Sequence, residues 1–268
     1  CMDRHSGELR WQVRTNRDCF SGFAIGDGRV FAADCWLQRR RRRGEDRERV
    51  TTIRALKLGS GETIWKTTRP LPEDVGEDRL AGWLKGSVLP LDPYLSYSPE
   101  QDIVILTAAR SIAAGLAGDT GEELWTSSIF LERCRPPIVL SDRFITRSRH
   151  VFDLREGNSK IEGRLWSGHR GCNRPLAGAH IITVRDAQAS WVGLEDGKRE
   201  SFGAVRSGCT NSLVPAGGLL NAPRFFDGCA CNYSVWTSFA AMHMPEAGRW
   251  RDEVMSGDGA VAATPAAK

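Results

Sequence analysis

The residues of this chain best suited to chemistry are its eight cysteines. Cys229-Ala-Cys231, with Cys172 and Cys209, offers four thiolates, a donor set that suits Zn²⁺. A single intervening residue is shorter than the usual knuckle spacing, and no second short pair accompanies it. Structural disulfides are the favoured reading, and they belong to an oxidising compartment. Cys-x-x-Cys-His is absent, so covalent haem attachment has no sequence basis. The histidines, His5, His150, His169, His180 and His243, are scattered and read as surface or core residues. No Gly-x-Ser-x-Gly, His-Glu-x-x-His or phosphate-cradling glycine loop occurs. Arg39 to Arg43 is a run of five arginines. Such a block attracts acidic partners or nucleic acid, but no aromatic residues interleave with it and the net charge is only +4. A solvated loop, and no nucleic-acid partner, is the expectation. Asn232-Tyr-Ser234 matches a glycosylation sequon inside the cysteine cluster and reads as chance.

The elements that position these residues announce themselves by repetition. His5-Ser-Gly-Glu-Leu-Arg-Trp11 recurs as Gly59-Ser-Gly-Glu-Thr-Ile-Trp65 and Asp119-Thr-Gly-Glu-Glu-Leu-Trp125. Weaker copies are Arg155-Glu-Gly-Asn-Ser-Lys-Ile161 and Glu195-Asp-Gly-Lys-Arg-Glu-Ser-Phe202. Each glycine (Gly7, Gly61, Gly121, Gly157, Gly197) is predicted to hold positive φ in a tight turn with a G1 bulge. The preceding Ser, Thr or Asp is expected to accept a turn hydrogen bond. Trp11, Trp65 and Trp125 are expected to dock between adjacent sheets, each burying a large ring. Around Ile138 to Trp166 the pattern predicts four short strands: 138–140, 143–148, 150–154 and 160–166. Four strands joined by tight turns are one propeller blade. The fold class expected is therefore all-β, a β-propeller of four-stranded antiparallel blades forming an incomplete ring, since one such unit repeated means an array.

The array is expected to fill residues 1–250, as five repeats and a partial first blade, followed by a flexible tail at 251–268. Two insertions interrupt it, 37–50 and 68–94. In an up-and-down sheet both leave on one face, where acidic residues Glu73, Asp74, Glu77 and Asp78 would approach the arginines. No apolar run reaches the ~20 residues of a membrane helix. Cys1 already lies inside a repeat, which reads as a fragment that has lost earlier repeats.

The Ser/Thr-Gly-Glu-x-x-Trp signature resembles that of the PQQ-like β-propeller family, which includes quinoprotein dehydrogenases and BamB-type assembly lipoproteins. The resemblance covers about residues 1–245. A narrower one, over Arg206-Ser-Gly-Cys-Thr-Asn-Ser-Leu-Val-Pro-Ala-Gly-Gly-Leu-Leu220, Asp227-Gly-Cys-Ala-Cys-Asn-Tyr233 and Thr237-Ser-Phe-Ala-Ala241, is to large exported propeller proteins of planctomycete-type bacteria. The resemblance implies a periplasmic or otherwise exported, non-catalytic binding or scaffold protein with a protein or cell-envelope partner and no cofactor. The alternative it implies is part of a PQQ-dependent dehydrogenase, holding PQQ and a Ca²⁺ ligated by Glu, Asn and Asp. Neither the adjacent cysteine pair of many such enzymes nor a matching Asn/Asp set stands in this sequence.

A disulfide map follows from strand positions. Cys19 and Cys35 are equidistant from Asp27, so they are expected opposite one another across the first hairpin, at a distance a disulfide tolerates. Cys209 is expected to bond Cys229 or Cys231, the other meeting Cys172. Cys134 and these cysteines fall in links on the insertion face, and Cys1 is left over.

Overall fold

The computed structural model describes residues 1–14, 22–37, 49–70, 93–108, 112–128, 136–146, 149–166, 175–186, 188–203, 205, 213–223, 238–242, 244 and 246–247. Two compact units divide the chain, residues 1–167 and 168–268.

The first unit opens with a short hairpin, bridged at Met2 and Leu9. Three sheets follow. The first runs β1 (Phe23–Gly26), β2 (Arg29–Leu37), β3 (Arg49–Lys57), β4 (Thr63–Pro70). The second runs β5 (Tyr94–Ser98), β6 (Ile103–Ala108), β7 (Ile112–Ala117), β8 (Glu123–Ser128). Both are four-stranded, antiparallel and ordered as in sequence. The third has β9 (Ile138–Val139), β10 (Arg143–Ile145) and β11 (Val151–Asp153). The second unit holds a four-stranded sheet, β12 (Leu176–Ala177), β13 (Ile181–Asp186), β14 (Gln188–Gly193), β15 (Arg199–Ser201). A three-stranded sheet completes it, β16 (Val214–Ala216), β17 (Leu219–Ala222), β18 (Phe239–Met242). This is an all-β chain of β-propeller blades, up-and-down antiparallel sheets of three or four strands that stack face to face within each unit.

Period-two alternation makes that stacking possible, because a strand with both faces apolar can bury each against a different neighbour. On β6, Val104 and Leu106 join Phe31, Ile53, Trp65 and Leu95 in the core between the first and second sheets. Ile103 and Ile105 point the other way, into the core with Trp125, Phe144, Phe152 and Leu154. In the second unit, Ala189 and Phe202 pack on Leu213, Leu220, Ala222 and Phe239.

Three expectations require correction. The first hairpin closes through a two-residue turn with both Asp27 and Gly28 at positive φ, 47° and 69°, the geometry of a type I′ turn. Phe23 therefore faces Ala32, and Ala24 faces Phe31. The hairpin is therefore centred between Asp27 and Gly28 instead of on Asp27. Cys19 itself lies outside the described residues. Second, the strands run into both insertions. β2 reaches Leu37, β3 begins at Arg49 and β4 reaches Pro70, because Val50-Thr-Thr-Ile53 favours extended structure. The ends still lie together, Leu37 opposite Arg49 and Val50 opposite Pro70, while the arginine run and the acidic residues Glu73, Asp74, Glu77 and Asp78 are outside the described residues. Third, residues 160–166 do not form a fourth strand. The backbone touches strand β11 through Ser159 and Lys160, then loops out, with Gly163 at φ 79°. Ile161 stands where the three complete copies have Trp, although the fifth copy, with Ser201 at that position, still forms β15.

Candidate functional site: the turn face of the blades

All five signature glycines hold positive φ, between 65° and 76°. Their turns share one hydrogen-bond pattern. In the first sheet Gly61 N–H donates to the Lys57 carbonyl and Lys57 N–H donates to the Glu62 carbonyl, both at 2.8 Å. Gly7, Gly121, Gly157 and Gly197 repeat it with Asp3, Ala117, Asp153 and Gly193. This is the G1 bulge, which needs a left-handed residue that glycine supplies without a Cβ clash. Ser6, Ser60 and Thr120 Oγ atoms accept the N–H of Glu8, Glu62 and Glu122 at 3.3 Å. At the first turn the Ser6 and His5 N–H groups, helped by Arg10, hold the Asp3 carboxyl down to about 2.

Each signature Trp reaches the turn of the following sheet. Trp11 donates its indole N–H to the Leu58 carbonyl at 2.9 Å, Trp65 to Gly118 at 2.8 Å and Trp125 to Leu154 at 3.0 Å. The ring lies on the next turn's glycine. A Cβ on Gly61, Gly121 or Gly157 would come within 2.6, 2.5 or 2.3 Å of Trp11, Trp65 or Trp125 respectively. The residue accepting the indole proton is itself tied inward. Leu58 N–H donates to Gly28, Gly118 to Asp102 and Leu154 to Asp142, each in the first turn of its own sheet. A relay thus runs from one sheet's outer strand through the next sheet's outer turn to its inner turn.

Those inner turns carry the charged groups. Arg29 donates to Asp102 Oδ1 and to the Tyr97 hydroxyl, both at 2.7 Å. Tyr97 contacts Asp27 Oδ2 at 2.6 Å and Asp102 Oδ1 at 2.9 Å. Its burial, then its bonds to Asp27 and Asp102, push the phenol well above the ordinary tyrosine range. The Arg29 guanidinium also lies over the Phe31 and Tyr97 rings, at 5.3 and 5.5 Å. In the third sheet Asp142 bonds Arg143, and Lys160 lies 2.8 Å from Asp153 and 3.3 Å from Asp142. Hydrogen bonds from Arg143 and Lys160 respectively hold the Asp142 and Asp153 carboxyls below their usual range. On the outer strands Arg69 pairs with Glu123 and donates to Thr126. Within the first sheet Arg54 and Asp34 form a buried ion pair at 2.7 Å.

Chemically, these groups neutralise one another. A hard divalent cation needs carboxylate and carbonyl oxygens turned toward it, whereas Asp27 and Asp102 already face a phenol and a guanidinium. This donor set does not fit Ca²⁺. Among the described residues no group of three or more His, Cys, Asp or Glu is placed to hold a metal. His150 lies edge-on to Phe152, with ring centroids 6.4 Å apart. Cys35 sits on β2 opposite Thr51, and Cys1 is an exposed free thiol. Cys134, Cys172, Cys209, Cys229 and Cys231 lie outside the described residues. The sequence reading missed the Arg29–Tyr97–Asp102 cluster. Its signal was the Asp in the inner turns, Gly26-Asp27-Gly28 and Gln101-Asp102, since Asp tolerates positive φ.

No family model matches the chain, and the comparison with curated proteins finds no match. Among solved structures, the chain is similar to BamB from Moraxella catarrhalis, with TM-score 0.48 and 15% identity over 81% of this chain and 62% of that one. It is similar to the quinohemoprotein alcohol dehydrogenase of Comamonas testosteroni, with TM-score 0.44 and 12% identity over 85% and 43%. It is also similar to the computationally designed Ika4 protein, with TM-score 0.42 and 13% identity over 73% and 98%. The chain thus spans about three-fifths of the length of the BamB structure. No helix among the described residues is long and apolar enough to cross a membrane.

Proposed function

We propose that this chain is a binding or scaffold propeller that works outside the cytoplasm on a protein or cell-envelope partner, without catalysis or a cofactor of its own. One observation carries the reading. The charged and polar side chains described at the turn face are tied to each other or to backbone, and the repeated Gly and Trp hold sheet to sheet. Catalysis calls for the opposite, a donor or base left available to a reacting group. Export is supported by the cysteine content, which suits disulfides, and kinship with the large exported propeller proteins is proposed on the Arg206–Leu220 segment. The test is to add PQQ and Ca²⁺ to the purified chain and follow dye reduction with alcohols and sugars. The scaffold reading expects no cofactor-dependent turnover, and saturable turnover would end it. Peptide mapping without reductant tests location: disulfides at Cys209, Cys229 or Cys231 are expected, and free thiols at all three would contradict export.

A further inference from the structure

The last sheet stops one strand short. Among the described residues it holds β16, β17 and β18, where the first sheet, the second sheet and the β12–β15 sheet each add an outer fourth strand. Register shows which backbone groups that leaves over. Gly217 and Gly218, at φ 60° and 76°, form the two-residue turn between β16 and β17, so Ala216 and Leu219 beside it exchange hydrogen bonds. Bonding alternates along a strand, and Leu220 and Ala222 therefore turn to β18, where they face Ala241 and Phe239. The N–H and C=O groups of Ala240 and Met242 point outward, and among the described residues they have no hydrogen-bond partner. This edge is also unguarded. β4 carries Lys66, Pro70 and a bulge, and β15 carries Arg199 and Glu200, devices that keep edges single. Phe239-Ala-Ala-Met242 has no charge, proline or bulge.

We propose that β18 takes an extended segment of a partner protein as its fourth strand, with an aromatic residue of that segment opposite Ala240. The proposal rests on the binding reading above and gives it a site. Main-chain bonds supply the affinity of such strand addition and alternate side chains its specificity. Side-chain size supports this occupant. In the first and second sheets a small residue of the third strand stands opposite the signature ring, Ala55 opposite Trp65 and Gly115 opposite Trp125. Ala55 belongs to the face turned toward the following sheet. Ala240 lies on the corresponding face of its own sheet, since its neighbour Phe239 packs into the core with Ala189 on the preceding one. A second copy fits less well. Pairing β18 with itself would engage four residues a side, whereas stable interfaces take about 20–30.

The probe is a synthetic peptide of residues 121–128, Gly-Glu-Glu-Leu-Trp-Thr-Ser-Ser, which contains the fourth strand of the second sheet. Amide exchange of the full chain is read by NMR with and without it. In the free chain the Ala240 and Met242 amides should exchange fast and those of Phe239 and Ala241 slowly. Excess peptide should slow the first pair. Ala240→Pro removes only an outward N–H, which an edge strand tolerates. It should bind the peptide roughly tenfold more weakly, the loss of about one backbone hydrogen bond. Protection of Ala240 and Met242 in the free chain would mean that another segment of the chain already covers the edge, and protection that grows with chain concentration would mean a second copy. Either result overturns the proposal, as does an exchange rate that excess peptide leaves unchanged. The wild-type exchange decides by itself if Ala240→Pro fails to fold. Turnover with PQQ is read separately, so a chain without turnover whose edge ignores the peptide loses this site and keeps the binding reading.

Discussion

At the residue scale the account rests on what glycine permits. Gly121 has φ 76° and sits under the Trp65 ring. Ala there meets two penalties, the left-handed backbone at ~1–2 kcal/mol and a Cβ inside the ring's contact distance. Gly121→Ala is expected to cost about 2–4 kcal/mol in urea unfolding, in the range of strain and overpacking. Gly59→Ala, with nothing within 4 Å of its Cβ, should change stability by no more than ~0.5 kcal/mol. Equal effects would remove the ring-on-glycine contact from the account. The buried pair gives a second expectation. Asp34→Ala leaves Arg54 without its partner carboxylate in a dry site, and breaking a buried pair from one side typically costs ~3–5 kcal/mol.

Tyr97 supplies a titration. Its phenol is held protonated by burial and by its carboxylate partners, so its folded value lies above its unfolded one, near 10. The contribution is fully present below pH ~10 and is lost as pH rises through the higher folded value. Of the chain's three tyrosines, one should therefore lag in tyrosinate absorbance, and Tyr97→Phe should remove the lagging step. A lag surviving that substitution would assign the shift elsewhere.

Elements show what the sequence could and could not reveal. Where the signature is complete, around Trp11, Trp65 and Trp125, its five-residue Gly-to-Trp phrase determines both the bulged turn and the docking of the ring, and both were legible. Where Trp gives way to Ile161, the strand that follows does not form. The signature marks the turn but not whether a strand follows it. The inner hairpin was misread by one residue, because Gly26-Asp27-Gly28 supports a turn centred on Asp27 or on the Asp27–Gly28 bond. Only the paired positive φ values decide, and one residue's slip turns every side chain over. The Arg29–Tyr97–Asp102 cluster joins residues 68 and 73 positions apart, a proximity that periodicity does not encode. Trp125→Phe tests the element link. It keeps the apolar ring but removes the N–H donated to Leu154, leaving a buried carbonyl short of a partner at a cost of ~1–3 kcal/mol. Full stability in that variant would mean the ring alone holds the second and third sheets together.

For the whole molecule the claim is that the repeat's residues couple neighbouring sheets instead of doing chemistry. Coupled sheets open together, and amide exchange reads that directly. The decisive measurement is hydrogen exchange of β2–β4 and β5–β8 in the wild type and in Trp65→Phe, whose lost N–H bond joins these sheets through Gly118. The account predicts that both sheets exchange as one cooperative body in the wild type, and that both exchange faster in the variant. Acceleration confined to β2–β4, with β5–β8 protected as before, would contradict it.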